Sequence, residues 1–287
     1  MVPTYKIAQS AIDLYATGPS QTRTSAVKNL HENIRSALNI WADNKFDTFL
    51  QGSYRNNTAI ADINDVDIVA LYDPWQSPVA ASDWEKIFQR IAYILRETTL
   101  VSGAVSIGDK CIKFEGELKA DIVPAVSIKP YSSTDPIMVF SRKEGREREN
   151  FPRQHYSNGV AKQDRSNDCY KATVRLFKRW VRQYPTLNAP SFYIECAVHS
   201  IPDARFDSYL PMSFLLTGAK ILDYTRSTVI MSVAGDKDVL VPGEWHPSDF
   251  ADFQDRLSGD LVRVSKAMEA TSTAEANRLW RSAFGDI

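Results

Sequence analysis

The chain has 287 residues, 44% of them hydrophobic, enough for one large domain or for two lobes with full cores. Its 34 basic and 35 acidic residues leave a net charge of −1, which is not the footprint of a protein that lives on a nucleic-acid backbone. Three scattered cysteines exclude a disulfide framework or Cys-rich zinc site, and four histidines lack ligand spacing. With no apolar run of membrane-span length and no signal peptide, a reduced, soluble, cytoplasmic protein that makes no membrane contact is expected.

Residues 4–16 read as a short helix ended by Thr17-Gly18-Pro19-Ser20. Thr24 is expected to cap a longer helix to about Asn44, because Val27, Leu30, Ile34, Leu38 and Trp41 recur at helical spacing. Phe46 to Leu50 reads as a strand entering a Gly-Ser turn, and Val66 to Tyr72 as a strand ended by Asp73-Pro74. Ser82 is expected to cap a helix to about Thr99 that buries Trp84, Ile87, Phe88, Ile91 and Leu95. Lys110 to Phe114 and Leu118 to Val123 pair as a hairpin through Glu115-Gly116-Glu117. Arg142 to Arg153 mixes cations with Glu144, Glu147 and Glu149 and reads as a solvated, partly mobile connection. From Asp168 the pattern turns helical, with helices at 168–184, 191–201, 208–223, 247–270 and 273–284. The fold class is therefore α+β. A mixed sheet with helices occupies residues 1–150, a mostly helical lobe occupies 151–287, and the active-site cleft is expected between them.

The most informative segment is Gln51-Gly52-Ser53-Tyr54 followed by Asp65-Val66-Asp67-Ile68-Val69. Side chains at i and i+2 of a strand share a face, so Asp65 and Asp67 project side by side while Val66, Ile68 and Ala70 enter a core. Two adjacent carboxylates repel unless a cation or proton lies between them, and Mg²⁺ prefers oxygen ligands. Asp121, near the middle of the strand 118–123, supplies a third acid. Three carboxylates on neighbouring strands suit two metal ions, Mg²⁺ or Mn²⁺, which activate a hydroxyl and stabilise a leaving oxygen at phosphorus. The Gly52-Ser53 turn offers backbone N–H groups and a hydroxyl to phosphate oxygens, and Gln51 adjoins it.

The helix near 168–184 carries Lys171, Arg175 and Lys178 on one face, which is either a solvated cationic face or a phosphate contact. Asn167 caps that helix or turns its amide to a base edge. Ser191 follows a proline in N-cap position, and Phe192 or Tyr193 either packs or stacks on a base. Tyr54 is expected to pack under the Gly-Ser loop.

These segments resemble the polymerase-beta-like nucleotidyltransferase superfamily, whose signature is a Gly-Gly or Gly-Ser pair, a spacer and an acid-x-acid strand. More narrowly, Gly52-Ser53-Tyr54-Arg55-Asn56-Asn57-Thr58-Ala59-Ile60, Val174-Arg175-Leu176-Phe177-Lys178-Arg179-Trp180 and Pro190-Ser191-Phe192-Tyr193-Ile194-Glu195 resemble the bacterial CD-NTases, relatives of cyclic GMP-AMP synthase and oligoadenylate synthetase. The family often has Gly where this chain has Asn57; Asn tolerates the left-handed conformation that such a turn needs.

The resemblance implies a synthase that joins nucleoside triphosphates (ATP, GTP, UTP or CTP) into a cyclic di- or trinucleotide with release of pyrophosphate. The product would activate an effector protein in anti-phage (CBASS) signalling. It also implies that Asp65 and Asp67 bind both metals, that Asp121 binds the one nearer the attacking hydroxyl, and that Lys178 reaches the triphosphate, with Lys171 or Arg175 assisting and Ser191 in contact. No obligatory nucleic-acid activator is expected. Within the same chemistry the alternative is a linear oligonucleotide synthetase or template-independent polymerase. From another class it is a catalytically silent nucleotide-binding protein.

Overall fold

The computed structural model describes residues 9–41, 46–63, 65–129, 134–239 and 245–286. In chain order the elements are α1 (Gln9–Asp13), α2 (Gln21–Trp41), β1 (Phe46–Gln51), α3 (Gly52–Asn56), β2 (Asp65–Gln76), α4 (Ala81–Glu97), β3 (Ala104–Ile107), β4 (Ile112–Glu115) and β5 (Lys119–Ser127). There follow β6 (Ile137–Ser141), β7 (Arg146–Asn150), α5 (Pro152–Arg165), α6 (Tyr170–Arg182), α7 (Ser191–Ser200), α8 (Leu210–Leu222), β8 (Ile230–Met231), β9 (Asp238–Val239), α9 (Pro247–Glu269) and α10 (Thr273–Phe284). Two compact units result: Pro19–Tyr156, and Met1–Gly18 together with Ser157–Ile287, so the dividing point falls within α5. Among the described residues no helix is long and apolar enough to cross a membrane.

The first unit is built on a seven-stranded mixed sheet in the order β1-β2-β5-β4-β3, with β6 pairing β5 and β7 pairing β6. β2 and β5 run parallel, and the other pairs are antiparallel. One face carries Val66, Ile68, Ala70, Ala120, Ile122 and Val126 into a core shared with Val27, Ile34 and Leu38 of α2 and Trp84, Phe88 and Ile91 of α4. At the starts of β2 and β5 these residues alternate with Asp65, Asp67, Lys119 and Asp121, so burial there is one-sided. The expected hairpin is present, with Ile112 opposite Ile122 and Lys113 opposite Asp121.

Several boundaries differ from the expectation. Residues 4–8 of the first expected helix and 42–44 of the second lie outside the described residues. Ser20, not Thr24, starts α2, its hydroxyl accepting from the Arg23 N–H at 3.1 Å. β2 continues through Asp73-Pro74, with its register against β5 shifting between Tyr72 and Gln76. Ser82 lies inside α4, whose cap position is Ala80.

The segment from Arg142 to Arg153 is no mobile connection, since it holds β7 and the start of α5. Glu147 fixes it. Its carboxylate accepts from Ser77 Oγ at 2.5 Å, the Val79 N–H at 2.9 Å and Trp84 Nε1 at 2.8 Å. The Trp84 indole in turn stacks on Phe140, 5.6 Å between centroids.

The second unit is helical around a core that includes Phe177, Trp180, Phe214, Phe253, Leu257 and Phe284. α6 to α10 fall where the helical periodicity predicts them. α5 was not foreseen: its buried residues are Gly159 and Lys162, so it carries no apolar stripe. Lys162 is held instead by Asp203 Oδ1 and the Ile201 carbonyl, each at 2.5 Å. Asp260, fully buried on α9, accepts from Trp180 Nε1 and Tyr184 Oη, each at 2.8 Å, and pairs with Arg263.

Candidate active site

The parallel register of β2 and β5 sets Asp67 directly beside Asp121, and Asp65 beside Lys119. Residues in register on adjacent strands share a face, so Asp65, Asp67 and Asp121 lie together on the face opposite the α2 and α4 core. Further along, that face becomes apolar: Val69, Leu71 and Ala125 pack with Ile137 and Val139. The acids therefore occupy one end of a surface whose other end is closed by a small core. Asp65 is exposed, and Asp67 and Asp121 are half-buried.

The Gly-Ser turn closes over this end. β1 delivers Gln51 opposite Asp67, and the chain then enters α3 at Gly52, whose φ is +64°. A Cβ on Gly52 would lie 2.0 Å from Asp67 Oδ2, so the backbone approaches that carboxylate as only glycine permits. At the other end of α3, Asn57 adopts the left-handed conformation with φ 57° and ψ 37°, as its place in the motif predicts. The Thr58 and Ala59 N–H groups then donate to the Ser53 carbonyl at 2.9 and 3.1 Å, closing the turn. Tyr54 packs against the sheet core and donates to the Ile63 carbonyl at 3.3 Å.

Two neighbours of the acids were missed from sequence. Asn150, the last residue of β7, donates from Nδ2 to Gln51 Oε1 at 3.2 Å and so holds the approach to the turn. Cys111 precedes β4, and its half-buried thiol hydrogen-bonds Asp121. Burial, then the charge and hydrogen bond of Asp121, push the thiol pKa up to about 12. Asn150 lies far in sequence from Gln51, Cys111 lies across the hairpin from Asp121, and neither carries a motif.

Among the described residues, no three His, Cys, Asp or Glu side chains close around a common point. The three aspartates share a face rather than form a finished cage. The donor set nonetheless fits a hard divalent cation: carboxylate oxygens from adjacent strands on one face.

The second unit treats its candidate residues unequally. Lys178 Nζ makes a buried ion pair with Glu195 Oε2 at 2.6 Å, the side chains 8% and 7% exposed. Arg175 Nε donates to the Ala16 carbonyl at 2.5 Å. The Lys171 N–H donates to Gln163 Oε1 at 2.7 Å, and burial followed by the nearby Arg175 charge lowers the pKa of its ammonium. The basic face of α6 is thus no solvated stripe. Asn167 and Asp168 both take left-handed conformations in the α5–α6 turn, with φ 50° and 62°. Neither caps α6; Ser166 Oγ accepts from the Tyr170 N–H at 3.0 Å instead. Ser191 is the exposed first residue of α7, not its N-cap, which is Pro190. Tyr193 is buried and packs edge-on against Trp245, whereas Phe192 is 47% exposed with Lys237 Nζ 5.9 Å from its ring centroid.

Comparison with known proteins places this geometry. Residues 157–261 match the cGAS/DncV-like nucleotidyltransferase C-terminal helical domain. A cyclic UMP-AMP synthase from Rhodothermus marinus is 33% identical over 215 residues, 65% of this chain and 74% of the relative. The chain belongs to the CD-NTases. A cyclic nucleotide synthase, CdnE01, from Staphylococcus haemolyticus is 32% identical over 222 residues, 64% of this chain and 74% of that one. The solved structure of the Rhodothermus marinus CdnE c-UMP-AMP synthase with Apcpp and Upnpp superposes with a TM-score of 0.71 at 26% identity, covering 89% of this chain and 96% of that one. An Escherichia coli CdnC with ATP gives 0.76 at 16% identity over 98% of each chain, a likeness of fold. This CD-NTase is therefore a nucleotidyltransferase with the polymerase-beta-like α+β fold, from a family whose named members are cyclic nucleotide synthases.

Proposed function

We propose that this CD-NTase joins two or three nucleoside triphosphates into a cyclic oligonucleotide, releasing one pyrophosphate for each bond formed. The supporting observation is the register of Asp67 beside Asp121, under the Gly52-Ser53 turn. In each step a ribose hydroxyl oxygen bonds to an α-phosphorus. The bond from that phosphorus to the oxygen bridging to the β-phosphate breaks, and pyrophosphate departs with the electron pair. Asp121 takes the hydroxyl proton. Asp65, Asp67 and Asp121 would hold two divalent ions, Mg²⁺ or Mn²⁺, which when bound offset the charge on the attacking and leaving oxygens. The Gly52 and Ser53 amides, at the open start of α3, face phosphate oxygens. Gln51, tethered by Asn150, holds the turn in place.

The roles of the second unit belong to the same reading. Ser191 touches the triphosphate, and exposed Phe192 rather than buried Tyr193 stacks on a base. Lys178 reaches the triphosphate by leaving Glu195, with Lys171 assisting, and Asn167 faces a base edge from its left-handed turn. The product serves as a second messenger for an effector protein in anti-phage defence.

The test is incubation with all four labelled triphosphates and Mg²⁺ or Mn²⁺, then phosphatase treatment and mass spectrometry. A phosphatase-resistant cyclic product with equivalent pyrophosphate is expected. Linear products alone would point to an oligonucleotide synthetase. Tight nucleotide binding with no pyrophosphate would point to a silent binding protein.

A further inference from the structure

The helical unit holds a cavity of about 510 Å³ between α1, with the turn that follows it, and α10. Its walls are tied to each other. Tyr15 Oη donates to the Gly285 carbonyl at 2.9 Å, and the Tyr15 ring meets the Trp280 indole edge-on, with centroids 5.7 Å apart. Trp280 in turn stacks on Phe284, 4.3 Å between centroids. The cavity therefore has a fixed aromatic wall, and Leu14, which also lines it, is 59% exposed.

This wall carries donors in want of an acceptor. Trp280 is 3% exposed, and its Nε1, which can only donate, is buried with no hydrogen-bond partner among the described residues. Buried polar atoms are nearly always paired, so an orphaned indole N–H points to a missing acceptor. Arg281 lines the same cavity, and its one ion-pair partner, Asp286, stands 3.6 Å away. Both side chains are largely exposed, so that pair is loose and readily exchanged.

We propose that this cavity binds a small organic carboxylate with a flat apolar body. The body lies against Tyr15, Trp280 and Leu14, and the carboxylate oxygens accept from Trp280 Nε1 and Arg281. Asp286 turns to solvent as Arg281 changes partner. Nε1 is closed to solvent, so its bond needs a small tilt of the indole and then forms out of water, where it is strong. Inorganic phosphate would engage the guanidinium and leave the aromatic wall uncovered. A neutral aromatic would cover the wall and leave both donors unmatched. Every lining residue belongs to the helical unit, and the sheet acids take no part.

The probe is naphthalene-2-carboxylate, with naphthalene-2-methanol as its neutral counterpart, titrated into the full ¹⁵N-labelled chain. The readout is the Trp280 indole N–H signal, assigned as the one missing from Trp280→Phe. The carboxylate should move that signal downfield and saturate with a Kd of roughly 1 mM or tighter, and the alcohol should bind about tenfold more weakly. Arg281→Gln should weaken the carboxylate about fivefold or more and leave the alcohol unchanged. A non-hydrolysable ATP analogue should not displace the carboxylate. Should Trp280→Phe fail to fold, triple-resonance spectra assign the signal and Arg281→Gln carries the comparison.

A Trp280 signal that stays in place at about 10 mM carboxylate would overturn the site. Equal binding of acid and alcohol would overturn the carboxylate, as would an Arg281→Gln variant that binds both as wild type does. Displacement by the ATP analogue would put the probe in a nucleotide site and overturn this one.

Discussion

Asp260 in the helical unit and Asp67 and Asp121 in the sheet unit are aspartates set against apolar cores, and the fold surrounds them differently. Asp260 is fully buried and takes hydrogen bonds from Trp180 and Tyr184 and an ion pair from Arg263. The Lys178–Glu195 pair in the same unit follows the same rule, with both charges withdrawn from water and matched. Around Asp67 and Asp121 the chain places each other's carboxylate, the half-buried Cys111, the exposed Lys113 opposite Asp121, and a glycine lacking the Cβ that would crowd Asp67. A buried charge survives only if matched. Where the fold sets several carboxylates on one partly open face, a divalent cation from outside can join the partners that the chain supplies. Under the proposed function, the helical carboxylates hold the protein and the sheet carboxylates hold a ligand.

The sharpest way to break this contrast is to remove the sheet carboxylates. Asp65→Asn with Asp67→Asn should lower product formation by roughly a thousandfold or more while leaving the urea midpoint close to wild type. Near wild-type pyrophosphate release would discard the site. Loss of folding would mean that these acids are structural after all.

The buried pair should behave in the opposite way. Lys178→Met alone leaves Glu195 charged and buried, a cost of about 3–5 kcal/mol in urea unfolding. Lys178→Met with Glu195→Leu replaces the pair by apolar groups and should regain most of that stability. The double variant then isolates the proposed triphosphate role. If it folds well and its KM for triphosphate is unchanged, Lys178 serves the fold and nothing more. If KM rises about tenfold or more, the lysine has both duties.

Gly52→Ala probes how closely the turn meets the acids. A left-handed alanine costs about 1–2 kcal/mol, and the new Cβ displaces Asp67 Oδ2. The activity loss, roughly a hundredfold, should exceed what that strain alone does to folding. A loss of stability with full activity per folded molecule would separate the turn from the chemistry.

The acids were readable because their signal is local: an alternating strand, a Gly-Ser turn, and a hairpin that brings Asp121 to the next strand. Asn57 was readable for the same reason, since one residue type answers one backbone demand. β7 was not, because its organising residue is a glutamate whose partners, Ser77, Val79 and Trp84, lie 63 to 70 positions away. A solvated charge run looks unstructured until such partners are known. Helix α5 hid likewise, as its buried side chain is a lysine matched by Asp203. Lys178 was found as a residue but misjudged in setting, because helical periodicity locates a face without saying what packs on it.

The smallest expected effect is also informative. Product formation by nuclease-treated protein should change less than about twofold on adding duplex DNA, duplex RNA or single strands. Duplex binding draws on several exposed Lys or Arg contacts, and its affinity falls steeply with salt. The chain's net charge is −1, so any such site must be local. The best local candidate by sequence was the basic face of α6, and the structure uses it internally. Arg175 is bonded to the Ala16 carbonyl, Lys178 is buried against Glu195, and Lys171 is partly buried. Cations matched within the fold release few counterions from a phosphate backbone. The measurement compares product yield with and without each nucleic acid at two salt concentrations. A large stimulation that collapses at the higher salt would mean that another basic surface binds the polymer. It would also mean that the internal matching of α6 does not decide how the enzyme is switched on.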